Sequence, residues 1–200
     1  MARDASRDRK QRRLSLHAYA TIALLACLLM VLAGLAGCRG SATLGKGTPT
    51  LPLTSTSFSE NEFPQRLTCD GADSSPELAW TTPPPATQSF VLIVVDQDAP
   101  LGSFVHWVLY DLPPDKRELP EALPKQAKLP DGSRQGLNDF EKPGYGGPCP
   151  PGKSAHRYIF ALYAVDSKLN LPTGSTRREV EDALQGHILA HGVLIGRYHR

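Results

Sequence analysis

"FVLIVVDQDAPLGSFVHWVLYDL" occupies residues 90–112, and its reading decides the fold. Phe90–Val95 is an unbroken apolar, β-branched run, the pattern of a strand buried on both faces. Asp96 and Asp98 end it, with Pro100 closing a turn. A second strand, rich in valine and aromatics, follows over 103–112. A third is expected at "HRYIFALYAVD", 156–166, where His156, Tyr158, Phe160 and Leu162 share one face and Arg157, Ile159, Ala161 and Tyr163 the other.

Working outward, a polar, proline-punctuated excursion separates the second and third strands. A loop of that length in a compact domain is functional or covers a sheet. "STRREVEDALQGHILAHGVLIGRY", 175–198, starts as a helix. Ser175 or Thr176 suits the N-cap, Glu179, Glu181 and Asp182 suit the first turns, and Val180, Ala183, Leu184 and Ile188 keep helical spacing. "GVLIGRY" then reads as a short final strand. Eighteen prolines and seventeen glycines favour short strands and long loops. The class is mainly β with one or two helices, and no internal repeat is visible.

The formal charge of +2 is misleading. Residues 1–38 hold six Lys/Arg and two Asp, and the remaining sixteen Lys/Arg and eighteen Asp/Glu sum to −2. The basic character therefore belongs to the N-terminal segment, and nucleic acid is not an expected partner. That segment reads as an export signal, a basic stretch before an uncharged, mostly apolar run from about Ala18 to Gly37. Its end, Leu35-Ala36-Gly37-Cys38, resembles the lipobox of bacterial lipoproteins. That resemblance implies lipidation of Cys38, membrane attachment, and placement in the bacterial cell envelope. The alternative is a retained signal anchor, since about 20 apolar residues span a bilayer. Residues 1–37 are thus the expected signal, 38–52 a lipidated Gly/Thr/Pro-rich tether, and 53–200 the folded domain. In an exported domain Cys69 and Cys149 are candidates for a disulfide; two buried free thiols are the alternative.

The acids and histidines carry the candidate chemistry. Asp96 and Asp98 alone are explained by a turn, because Asx side chains bond nearby backbone amides. His106 is placed on a strand face with Phe104 and Val108, where a lone histidine is most often a core residue. His156 and Tyr158 share a face and can reach one pocket. "GYGGPCPPGKSAHRY", 144–158, combines glycines that allow close backbone approach with stiffening prolines. It lacks the earlier glycine of a phosphate-binding P-loop. Neither HExxH nor GxSxG is present. Two Asp and two His could hold zinc and activate water, so a metal-dependent hydrolase is a competing reading.

"CDGADSSPELAW" (69–80), "DQDAP", "FVHW" and "GYGGPCPPG…HRY" together resemble the phosphatidylethanolamine-binding protein family, and "GHILAHGVLIGRY" resembles the ending of its bacterial, Raf-kinase-inhibitor-like branch. The resemblance implies two antiparallel sheets in a Greek-key arrangement, a C-terminal helix and long Pro/Gly-rich loops. It also implies a small pocket for an anionic or phosphorylated ligand or lipid headgroup, without turnover, cofactor or metal. That pocket falls on Asp96, Asp98, Pro100, His106, Pro150, His156 and Tyr158, with Gly147 and Pro148 lining it. Kinase- or protease-inhibitor-like modulation of a partner and a homodimer also follow from the resemblance. An envelope lipoprotein acting only through its surface is a further alternative. Gln97 and Val105 depart from the family pattern. The expectation for the acids is that they fix His106 and His156 and favour their charged forms, as phosphate donors.

Overall fold

The structure, a computed structural model, describes residues 47–59 and 61–200. The export signal and Cys38 lie outside the described residues. The strands are β1 (Leu53–Thr54), β2 (Leu78–Trp80), β3 (Ser89–Asp96), β4 (Phe104–Leu112), β5 (Glu118–Leu119), β6 (Arg134–Gln135), β7 (His156–Val165) and β8 (Ile188–Tyr198). They form two antiparallel sheets, a three-stranded one in the order β1-β2-β5 and a five-stranded one in the order β6-β4-β3-β7-β8. The run β7-β3-β4-β6 places the latest strand beside the earliest, which is the Greek-key order.

The unbroken apolar run of β3 follows from its place at the centre of the larger sheet. Phe90, Leu92 and Val94 join Trp107, Leu109, Phe160, Leu162, Leu78 and Trp80 in the main core. Val91 and Ile93 face the other way. There they pack with Val105, Val108, Tyr110 and Val165 against Val180 and Leu184 of the helix α1 (Arg177–Leu184). Thr176 caps that helix, accepting from the Glu179 amide while the Glu179 carboxylate accepts from the Thr176 amide, a reciprocal capping box.

Two expectations need correction. Ile188 does not continue the helix. It opens β8, which runs eleven residues rather than the short stretch from Gly192. Ten residues of β7 pair with it, and that pairing overrides the local helical spacing of Val180 to Ile188. Second, His106 does not share a face with Val108. Val94 pairs with Trp107 and Val95 with Val105, which leaves His106 as the extra residue of a β-bulge. The bulge shifts the alternation by one, so His106 and Trp107 both turn toward the main core while Val105 and Val108 face the helix.

Packing begins at Leu51, which is 1% exposed. Its amide donates to the His191 carbonyl at 2.6 Å, and the His191 amide donates to the Pro49 carbonyl at 3.0 Å. This approach requires glycine on β8, since a Cβ at Gly192 would lie 1.9 Å from the Leu51 carbonyl oxygen. Cys69 and Cys149 form a disulfide across 80 residues, with a Cα–Cα separation of 5.4 Å.

Two outcomes follow. Gly192→Ala must displace the 49–51 segment, an overpacking cost of about 1–3 kcal/mol, measured by denaturant unfolding. Cys69 and Cys149 resist alkylation in the unfolded chain until a reductant is added, and reduction lowers stability by about 4–5 kcal/mol in the chain-entropy account.

Candidate functional site

Asp96 is the last residue of β3 and is flanked by Phe104 of β4 and Tyr158 of β7. The strand ends inside the protein, so this carboxylate is only 4% exposed and must be paired. One oxygen accepts from the Asp98 amide at 2.9 Å, closing the turn. The other accepts from His156 Nδ1 at 2.7 Å. His156, 6% exposed, opens β7 on the same face as Tyr158, as its alternation requires.

His106 sits beside this pair. The bulge aims it at the Tyr158 ring, with centroids 5.1 Å apart and planes edge to face. Phe104 and Phe140 flank it at 5.2 and 5.5 Å. Its Nδ1 lies 2.6 Å from the Gly146 carbonyl oxygen, to which it donates. The Gly146 amide donates in return to the His106 carbonyl at 2.9 Å. Here the structure corrects the expectation that the acids fix both histidines in charged forms: His106 is held by a backbone carbonyl. Burial drives its pKa below the ordinary histidine value, outweighing the raising effects of the Gly146 carbonyl, Asp96 and Asp139.

Asp98 is also assigned elsewhere. Its carboxylate accepts from the backbone amide, Nε and Nη2 of Arg157 at 2.9, 2.8 and 2.6 Å. Those hydrogen bonds hold its pKa down at about 2. Asp96 opposes Tyr158, so Gln97 lies opposite Arg157 and donates to its carbonyl, and Asp98, in the turn just beyond, is held by the same arginine at the rim. Asp98 thus hydrogen-bonds to neither histidine, although it lies close enough to His156 for the two charges to interact.

Tyr158 is 1% exposed, and its hydroxyl makes no hydrogen bond of ordinary geometry among the described residues, with the Asp96 carboxylate and the Cys149 backbone the polar groups nearest to supplying one. Burial, then the charge of Asp96, pushes its pKa well above the ordinary tyrosine value. Phe63 holds the ring from the other side, with centroids 5.7 Å apart, in a space that a Cβ at Gly196 would fill. Two further buried atoms, Trp80 Nε1 and His191 Nδ1, are unpaired away from this cluster, and nothing in the structure accounts for them.

The loop residues form one wall. The Gly147 amide donates to Asp73 Oδ1 at 2.6 Å, the Cys69 amide to the Pro148 carbonyl at 3.1 Å, and the Tyr145 hydroxyl to the Leu67 carbonyl at 2.9 Å. Pro148 and Pro150 are buried on either side of Cys149. Gly146, Gly147, Phe140 and Tyr145 line a cavity of about 190 Å³ with Lys125 and Lys142 at its edge. Pro100 is exposed at the β3–β4 turn, in a cleft of about 490 Å³ with Leu101, Phe104 and Asp139. Among the described residues, no group of three or more His, Cys, Asp or Glu is arranged to hold a metal ion.

The structure therefore brings Asp96, His106, His156 and Tyr158 together, with Gly147 and Pro148 in the loop beside them. Asp98 and Pro100 stand at the rim. Sequence reasoning missed Gly146, whose contribution is a backbone carbonyl, and Phe140, which comes from a loop without periodicity. Asp73 and Arg157 lay inside quoted motifs and were legible as neighbours, though not in their roles.

Known proteins resemble this chain in sequence and fold. The family model for phosphatidylethanolamine-binding protein matches residues 54–199. A "UPF0098 protein" of Aquifex aeolicus is 47% identical over 157 residues, covering 77% of this chain and 91% of that protein. A counterpart in Pyrococcus abyssi is 44% identical over 165 residues, covering 80% and 92%. Among solved structures, a phosphatidylethanolamine-binding protein homolog from Chlamydia trachomatis superposes with a TM-score of 0.69 at 36% identity, covering 76% of this chain and 98% of that one. E. coli YbcL, described as a member of the mammalian family, gives a TM-score of 0.70 at 29% identity, covering 75% and 98%. The shared fold, the matched span and these identities place the chain in the phosphatidylethanolamine-binding protein family.

Proposed function

We propose that this family member is a non-enzymatic binding protein whose Asp96–His106–His156–Tyr158 cluster takes a small anionic ligand: phosphate, a phosphoryl headgroup or a similar group. The observation that carries the reading is the Tyr158 hydroxyl, a buried donor without a partner, edge-on to His106 and beside Asp96. Leaving such a group unpaired costs about 1–3 kcal/mol, and a ligand oxygen would recover it. The absence of turnover rests on the sequence, which offers neither a nucleophile elbow nor a zinc-protease motif. Lipidation at Cys38 after export, with the domain held at a membrane of the cell envelope, completes the proposal; its support is the Leu35–Cys38 motif behind an apolar run. A protein partner would then be met at that membrane, on the rim formed by Pro100, Leu101 and the Asp98–Arg157 pair.

Calorimetric titration of the full chain with phosphate and with phosphoethanolamine is expected to show saturable binding. His106→Ala weakens it at least ~10-fold, the worth of one buried polar contact. Binding that is absent in the wild type, or unchanged in His106→Ala, would sink the reading. Tyr158→Phe separates function from folding. It removes a buried unpaired hydroxyl, so unfolding free energy stays level or rises by about 1 kcal/mol, while ligand affinity falls. A variant that loses stability instead would mean that the hydroxyl serves the fold.

A further inference from the structure

The outer face of the five-stranded sheet is roofed only in part. Residues directly opposite each other across a strand pair share a face, so the register assigns two rows to it. One row is Val193 of β8, Ala161 of β7 and Ile93 of β3, and the next is Ile195, Ile159 and Val95. All six are apolar. Helix α1 covers the β3–β4 end of these rows, where Ile93, Val105 and Val108 are buried with Val180 and Leu184. A helix about 10 Å across covers roughly two strands spaced about 4.8 Å apart, not five. Beyond it the rows stay open. Val193 is 51% and Ile195 38% exposed, and Ile159, Ala161 and Val95 are half-buried. β8 is the edge strand, so Val193 and Ile195 stand at a corner of the domain, where a flat surface reaches them without meeting the helix.

The border of this patch is amphipathic. Arg157 and Arg197 oppose each other at one end, with Glu62 bridged to Arg197, and Tyr163 opposes His191 at the other. Arginine and tyrosine lay an apolar stem or ring beside such a patch and keep a polar tip in water or among headgroups. An exposed apolar surface rimmed by polar residues marks a contact with a partner or a membrane.

The path of the chain selects between them. It enters the domain along this same strand: Thr50 bridges His191 in parallel, and the Leu51 amide donates to the His191 carbonyl. Val193 lies two residues further along. Only eight residues, 39–46, separate Cys38 from Gly47. That segment spans about 30 Å at full extension and about 16 Å as a flexible coil. A lipid on Cys38 would therefore hold β8 close to the bilayer. Residues 39–200 sum to a formal −2, so long-range attraction to an anionic surface does not bring the domain down, whereas an apolar corner does.

We propose that the open β7–β8 corner, formed by Val193, Ile195, Ile159 and Ala161, is a docking surface for the lipid bilayer that carries the Cys38 anchor. The inference rests on the lipid-anchor reading above and is independent of the anion site. It fixes an orientation, with β8 toward the lipid and β5, at the far edge of the other sheet, away from it.

The test uses the full chain made in a bacterial host, with acylation of Cys38 read from the intact mass. Val193→Cys and Glu118→Cys place a polarity-sensitive fluorophore on the corner and on the exposed side of β5. Labelling without reductant leaves the Cys69–Cys149 bridge closed. The chain is reconstituted into vesicles of phosphatidylethanolamine and phosphatidylglycerol with brominated acyl chains. Quenching is expected at position 193 and not at 118, because an interfacial contact sits about 5–10 Å into the headgroup–acyl boundary. Adding Ile195→Asp to the Val193 reporter is expected to cut the docked population at least ~10-fold, bringing its quenching to the level at 118. If that variant does not fold, the contrast between 193 and 118 in the single reporters decides alone.

An acylated chain quenched equally at both positions overturns the docking surface and leaves the anchor standing. A reporter at 193 that is shielded in detergent, in a particle of doubled mass, assigns the corner to a second copy and overturns the inference. A chain without the lipid that still binds the vesicles and is quenched at 193 keeps the docking surface and removes the anchor. A chain without the lipid that ignores the vesicles removes both.

Discussion

The rest of the structure depends on a strand that is buried on both faces yet must end in a charge. β3 has core on one side and helix on the other, so its backbone cannot leave the sheet without carrying a polar residue through low-dielectric surroundings. Asp96 is that residue. A buried carboxylate without partners would be expensive, and the neighbouring strands supply them: the Asp98 amide in the turn and the His156 ring at the start of β7. The pairing register that satisfies Asp96 also brings Tyr158 alongside, and the turn beyond it leaves Asp98 on Arg157 at the rim. One electrostatic requirement at a strand end thereby distributes four side chains between interior and surface.

That distribution shows how far sequence reasoning reaches. β3, β4 and β7 were legible because long apolar runs and strict alternation are local signals, and the burial of His156, Tyr158, Phe160 and Leu162 follows from them. The start of β8 was not, because Ile188 fits helical spacing as well as strand pairing, and only ten pairs with β7 decide between them. The facing of His106 was illegible for a stronger reason. A bulge belongs to the register between two strands, and nothing within "FVHW" states that Trp107 pairs with Val94 while Val105 pairs with Val95. The acceptor for His106 is a backbone carbonyl, which every residue possesses, so no residue type at position 146 could advertise it. Asp98 is the intermediate case: its turn role was visible, whereas its partner lies 59 residues away and required the register.

The loops convert this strand-end chemistry into a shaped site. The 145–149 segment is tied to the 67–73 segment by the Tyr145, Gly147 and Cys69 hydrogen bonds and by the disulfide. Irregular backbone would ordinarily be the mobile part of such a domain. Here several short-range ties fix it against the strands, and the Gly146 carbonyl becomes as well placed as a strand atom. Gly147 tolerates this only because it lacks a side chain: a Cβ there would lie 2.5 Å from the Leu67 carbonyl oxygen and 2.8 Å from the Asp73 carboxylate.

Pairing within the chain also bears on what the cluster can do. Of the two acids read from sequence as holding the histidines, Asp96 does hold His156, along with a turn amide, whereas Asp98 is spent on a rim arginine. His106 is left with the backbone of Gly146 and Gly147, aromatic rings and burial, and burial outweighs the rest in lowering its pKa. On the binding reading, a site assembled this way is not an electrostatic trap for any anion. Its attraction for a ligand would be short-range and would depend on complementary hydrogen bonds to buried polar atoms such as the Tyr158 hydroxyl. Such complementarity is weak in water and strong once solvent is excluded, because there an unmatched donor or acceptor has no alternative partner. On the binding reading, burial is therefore what gives the remaining polar atoms their discrimination.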